Sequence, residues 1–192
     1  MRSMALGRSL WLASAVAAVA TGCASADVAP AAGTRPELLG PLTREEIEVA
    51  VPSWVDAEIR ATPDYDAAVG LVEALEGAEV TVLLGTWCSD SRRELARLWR
   101  AFDDAGLSDP PQLRYVGVDR GKREPEELVA GSVLLYVPTF IVRRGGEEVG
   151  RIVEESPGGI ENDLLALLSG ERRGLVTTKV ELLQETSDGE GR

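Results

Sequence analysis

The chain of 192 residues contains no histidine. That removes every Ser-His-Asp or Cys-His nucleophile pair and nearly every catalytic zinc arrangement, in which imidazole is the usual base or ligand. Cysteine is almost as scarce. Cys23 and Cys88 are the only two, too few for a Cys-rich metal site, so neither a metal nor another cofactor is expected. Positive charge is the third deficit: 20 Lys and Arg stand against 32 Asp and Glu, a formal net charge of −12. Such a chain repels phosphate backbones, which argues against nucleic acid as a partner. What remains, 44% apolar and 27% charged residues, suits one globular domain of ordinary size with flanking segments.

The first residues read as an address. Arg2 and Arg8 precede an apolar run from Leu10 to Ala20 and then small residues, the layout of a secretory signal. The run is shorter than the ~20 residues a membrane span needs. Ala20-Thr21-Gly22-Cys23 resembles the bacterial lipobox, in which the cysteine is acylated and becomes the mature amino terminus. The resemblance implies a signal over residues 1–22 and a lipid anchor on Cys23, facing the periplasm or the cell exterior. An ordinary signal peptide cleaved after Ala24 or Ala26 would instead discard Cys23. Residues 23–41, rich in Ala, Pro and Gly without apolar periodicity, read as a flexible tether. Either way Cys88 is left as the one free thiol, and in an exported compartment an unpaired cysteine points to reactivity or intermolecular pairing.

Residues 42–170 carry the patterned part of the chain. Residues 42–55 are amphipathic, with Thr43 and Glu46 at capping-box spacing. The stretch 62–77 predicts a helix with an apolar stripe of Val69, Val72 and Leu75, stopped at Gly77. Residues 79–85 form a nearly continuous apolar run, as in a strand buried on both faces. Leu95, Leu98, Trp99 and Phe102 then recur at helical spacing up to Gly106. A strand at 112–119, a short helix near 124–131, and a strand within 133–144 follow. Gly145-Gly146 turns that strand into a second one at 147–154, and a helix over 159–170 faces Ile160, Leu164, Leu167 and Leu168 inward. The tail, 171–192, ends in small and charged residues of disordered character. Alternating strands and helices followed by a hairpin predict an α/β fold with a central mixed sheet, parallel strands plus an antiparallel hairpin.

Between the first core strand and its helix lies "GTWCSDS", Gly85 to Ser91. Trp87-Cys88 at the end of that strand, and Val137-Pro138-Thr139 at the start of a later one, resemble the thioredoxin superfamily over about residues 64–169. The resemblance implies a thioredoxin-like fold with helices on both faces of the sheet. It places Cys88 as the catalytic thiol within an active-site motif of Trp87, Ser89, Asp90 and Ser91. Val137, Pro138 and Thr139 become a substrate groove, where a cis proline leaves a backbone edge for an incoming peptide beside the sulfur. A helix amino terminus favours a thiolate, Arg92 and Arg93 add positive charge, and Asp90 opposes it. Two departures fall on the same step. Ser91 occupies the place of a resolving cysteine, and Val82 the place of a buried acid six residues before the nucleophile. Attack on a disulfide needs neither group.

Plainer roles exist for the same residues. Cys88 could be a buried core thiol, Ser91 a helix cap or first-turn residue, Asp90 a helix-terminus charge, and Arg92-Arg93 a solvated face. Trp99 and Phe102 are core by spacing, Trp54 and Tyr65 packing residues, and Glu154-Glu155 a solvated strand end. The reading expected to account for most is an anchored monothiol oxidoreductase: Cys88 exchanges with disulfide- or sulfenate-bearing exported proteins, and an external thiol releases it. A non-catalytic partner-binding module on the same fold and a redox sensor are the alternatives. Oligomeric state is not legible.

Overall fold

The computed structural model describes residues 36–129 and 134–183. The signal, Cys23 and the tether up to residue 35 lie outside the described residues, as do residues 184–192. The elements are β1 (Gly40–Leu42), α1 (Arg44–Ala50), α2 (Ser53–Arg60), α3 (Tyr65–Ala74), β2 (Ala78–Leu84), α4 (Ser89–Asp104), β3 (Leu113–Gly117), α5 (Glu126–Val129), β4 (Thr139–Arg144), β5 (Glu147–Val153), α6 (Ile160–Ser169) and β6 (Gly174–Val176). They form an α/β structure on one six-stranded mixed sheet of order β1-β3-β2-β4-β5-β6. β2 runs parallel to β3 and antiparallel to β4, and β4 and β5 form the antiparallel hairpin around Gly145-Gly146.

Both outer strands lie where no strand was expected. Residues 36–41 were expected to end a flexible tether, yet Gly40–Leu42 pairs antiparallel with β3. The approach is so close that a Cβ on Gly117 would overlap the Leu38 carbonyl oxygen, which leaves room there only for glycine. The start of the tail, to which no element was assigned, adds β6 in parallel to β5. Three-residue edge strands carry no period of their own, so only their partners define them.

The helices obey local chemistry more closely. Thr43 and Glu46 close the reciprocal capping box at the start of α1, satisfying two otherwise orphaned amides. Pro52 ends that helix and α2 begins after it, so residues 42–55 hold two helices where one amphipathic piece was expected. In α3 the buried residues are Ala67, Ala68 and Leu71, with Leu75 just beyond, while Val69 and Val72 are exposed. The expected Val69–Val72–Leu75 stripe is thus corrected. α3 packs on α4 and α6 together, and two neighbouring helices leave room for alanines on the facing side. Tyr65, expected to pack, is also exposed.

The two faces of the sheet carry separate apolar clusters. Val80, Val82, Leu84, Phe140 and Val142 face a large core with Trp54, Leu71, Trp99, Phe102 and Leu164 from the helices. The opposite face offers Leu83, Val116 and Ile141, and beyond them Val129 of the four-residue α5 meets Val118 and Val137. Helices on both faces were expected. Among the described residues, Val129 of α5 contributes to the second face.

Trp99 anchors α4. Its ring lies 5.5 Å from Trp54 and edge-on to Tyr115 at 5.9 Å, and its indole N–H donates to the Tyr115 hydroxyl at 3.0 Å. Each such ring pair adds about 1 kcal/mol beyond its buried area. Arg97 pairs with Glu161 of α6 through both carboxylate oxygens at 2.6 and 2.8 Å. Glu161 is fully buried and also accepts the Asp64 amide at the start of α3. These contacts hold the 16 residues of α4 against both neighbouring helices and the sheet, and thereby fix the place of its first turn.

Candidate functional site

Cys88 is the N-cap residue of α4, extended in backbone while Ser89 begins the helix. The chain leaves β2 at Leu84 and crosses Gly85-Thr86-Trp87 before the thiol. Thr86 is fully buried. Its hydroxyl donates to the Pro36 carbonyl and accepts the Leu38 amide, so the segment expected to be a tether is fastened directly behind the thiol loop. Trp87 folds back over Gly85, where a Cβ would lie 2.6 Å from the indole ring. The Trp87 N–H donates to the Val118 carbonyl at 3.0 Å. The Arg120 guanidinium covers the ring at 5.0 Å and pairs with Glu37 at 2.7 Å.

The sulfur is half-buried. It packs with Trp87 against Val118, Val129 and Val137 and lies 3.4 Å from the Val137 carbonyl oxygen, to which the thiol donates. The Val137–Pro138 peptide is cis. Cys88 and the start of β4, 49 residues apart, are therefore brought together as expected. The two other groove residues are engaged by the fold. The Pro138 carbonyl accepts the Glu154 amide at 2.7 Å. Thr139, buried, donates from its hydroxyl to the Tyr136 carbonyl and pairs with Val153 of β5.

Ser91 is fully buried, and its hydroxyl accepts the Gly85 N–H at 3.2 Å. It lies in the first turn of α4 and joins the strand end to the helix. That is one of the plain roles open to it, and it turns the hydroxyl into the loop. Val82 is fully buried in β2 among apolar neighbours, so no ionisable group stands there. Ser89 is exposed.

Arg93 is held by carboxylates: Asp90 at 2.6 Å, Glu94 at 3.0 Å and Glu155 at 3.6 Å. Asp90 and Glu155 therefore have a common cation, and Arg93 lends little net charge to the thiol. Arg92 differs: among the described residues its guanidinium bonds the Ser53 hydroxyl at 3.3 Å and no carboxylate. Glu94, almost fully buried, is the carboxylate next to Arg93 in the chain and pairs with it. Burial pushes its carboxyl above the usual range, with Arg93 working the other way. Glu161 runs opposite. Burial alone would raise it, but the Arg97 bonds and the Asp64 amide hold it below its ordinary value. An acid at the edge of an apolar stripe gives no sequence sign of such partners, 64 and 97 residues away.

The arrangement provides one half-buried sulfur against the cis-proline segment at the start of β4, within a loop braced on both sides. Among the described residues no group of three or more His, Cys, Asp or Glu side chains is placed to hold a metal ion, and no helix is long and apolar enough to cross a membrane. No family model and no curated protein matches the chain. Among solved structures it is similar to a protein of unknown function from Pseudomonas aeruginosa, determined at 1.5 Å, with 18% identity, a TM-score of 0.42, and coverage of 66% of this chain and 86% of that one.

Proposed function

We propose that this is a thioredoxin-like protein, lipid-anchored through Cys23 to a bacterial membrane and facing the periplasm or the cell exterior, that uses Cys88 for thiol–disulfide exchange with exported proteins. The observation that carries the proposal is the 3.4 Å contact between the Cys88 sulfur and the Val137 carbonyl ahead of Pro138, with the thiol at the start of a long helix that follows a central strand. The Cys88 thiolate attacks one sulfur of a partner disulfide, forming a Cys88–partner disulfide and releasing the other partner sulfur as a thiolate. An external thiolate then attacks the mixed disulfide, regenerates the Cys88 thiolate and leaves with the partner as a new disulfide. Ser91 takes no part, because its oxygen is a poor nucleophile and is turned into the Gly85 amide.

The test is capture. After mild oxidation, non-reducing gels of the exported fraction should show adducts that dithiothreitol removes and that Cys88→Ser abolishes. No Cys88-dependent adduct under those conditions would sink the exchange reading and favour a partner-binding module.

A further inference from the structure

Beside the thiol lies a second feature that the exchange chemistry does not use. A cavity of about 440 Å³ opens between the end of α2, the segment leading to α3, and the first two turns of α4. Four arginines line it, Arg60, Arg92, Arg93 and Arg97, with Thr62 and Ser89. Ser89 follows Cys88 directly in the chain. No carboxylate-bearing residue is among the described residues lining it, in a chain of net charge −12.

The four cations are not equivalent. Arg97 is matched by Glu161, and Arg93 by Asp90 and Glu94. Arg60 and Arg92 have no carboxylate within ion-pair distance among the described residues, although most of the described arginines do. Two unmatched guanidiniums facing one concave space, with a serine and a threonine hydroxyl, form a donor-rich and acceptor-poor lining. Guanidinium forks fit carboxylate and phosphate oxygens through paired, charge-assisted hydrogen bonds. The paired Arg93 and Arg97 keep the wall in place without requiring a ligand.

We infer that this cavity is an oxyanion site that receives a carboxylate or phosphate group carried by the molecule whose disulfide Cys88 attacks. The inference rests on the exchange reading and names the partner class within it: disulfides that carry a carboxylate or phosphate group.

Two measurements on the full chain test it. Binding of inorganic phosphate, followed by titration calorimetry, should be saturable and weakened at least about tenfold in the Arg60→Gln/Arg92→Gln variant, as expected when two ionic donors are lost. The second measurement is the ratio of Cys88 reaction rates with a dianionic aromatic disulfide, 5,5′-dithiobis(2-nitrobenzoate), and a neutral one, 2,2′-dithiodipyridine. That ratio should fall roughly three- to tenfold in the same variant, and division removes the sulfur's intrinsic reactivity. Arg60→Gln alone, at an exposed helix end, should move both readouts the same way and guards against misfolding of the double variant. Absence of saturable phosphate binding would overturn the site. Binding with an unchanged ratio would assign the cavity to a free oxyanion and overturn its role in partner choice. Failure of Cys88 to react with either disulfide would instead strike the exchange reading itself.

Discussion

The hydroxyl of Ser91 accepts the amide N–H of Gly85 at 3.2 Å, joining the end of β2 to the first turn of α4 across the loop that carries Cys88. A position that could have held a second sulfur is thereby a brace. Ser91→Ala leaves the Gly85 amide buried without a partner, and unfolding should become easier by about 1–3 kcal/mol. Denaturant titration measures that loss, while 2,2′-dithiodipyridine should still release one equivalent of thiopyridone from Cys88. Loss of the thiol reaction in a folded Ser91→Ala variant would mean that the serine acts in the chemistry.

Gly85 matters for a second reason. Its missing side chain is the space in which the Trp87 ring lies. Gly85→Ala should push the indole off the loop and weaken its bond to Val118, costing about 1–3 kcal/mol as overpacking does. Tryptophan emission should shift to longer wavelength relative to a Trp87→Phe control. An unchanged spectrum and melting curve would show that the ring has another resting place.

Two buried acids on neighbouring helices should respond to pH in opposite directions. The Glu161 carboxyl is held below its unfolded value, so its stabilisation is present above the unfolded value and is lost as pH falls through the folded one. Glu94 is held above its unfolded value, so it detracts from stability once pH rises past the unfolded value. Glu161→Gln should therefore destabilise at pH 7, by about 1–3 kcal/mol because the Arg97 left behind is partly exposed, and should flatten the acid limb. Glu94→Gln should leave stability at pH 7 equal or higher. Chemical denaturation between pH 3 and 8 separates the two, and like signs at pH 7 would refute the contrast.

Arg144, at the end of β4, donates at 2.9 Å to the carbonyls of Glu76, Ala74 and Leu168. One guanidinium thus caps the carboxyl ends of α3 and α6, where carbonyls lack helical partners and the helix dipole is negative. Arg144→Ala should cost about 1–3 kcal/mol. Arg144→Lys should recover only part, because a single ammonium cannot span both helix ends. Full rescue by lysine, read from melting curves, would reduce the effect to simple charge.

Much of this architecture is written locally. The Thr43–Glu46 box, the Gly145-Gly146 turn, the apolar run of β2 and the inward face of α6 depend on neighbours within one or two turns of chain, so residue type and spacing suffice. The pattern Trp87-Cys88 followed at a distance by Val137-Pro138-Thr139 also pointed to the thiol and its neighbouring strand before any coordinates. Tertiary structure alone decided the rest. β1 and β6 exist because β3 and β5 offer unpaired edges, and α3 turned its alanines inward because two helices press upon it. Ser91 became a brace when the chain between Gly85 and the helix closed on itself. Arg60 and Arg92 acquired significance only when two helices, distant in sequence, left them facing one cavity without a carboxylate. A sequence records which groups are present and how they repeat along the chain. Whether a charge is matched, or a hydroxyl free, depends on neighbours that only folding supplies.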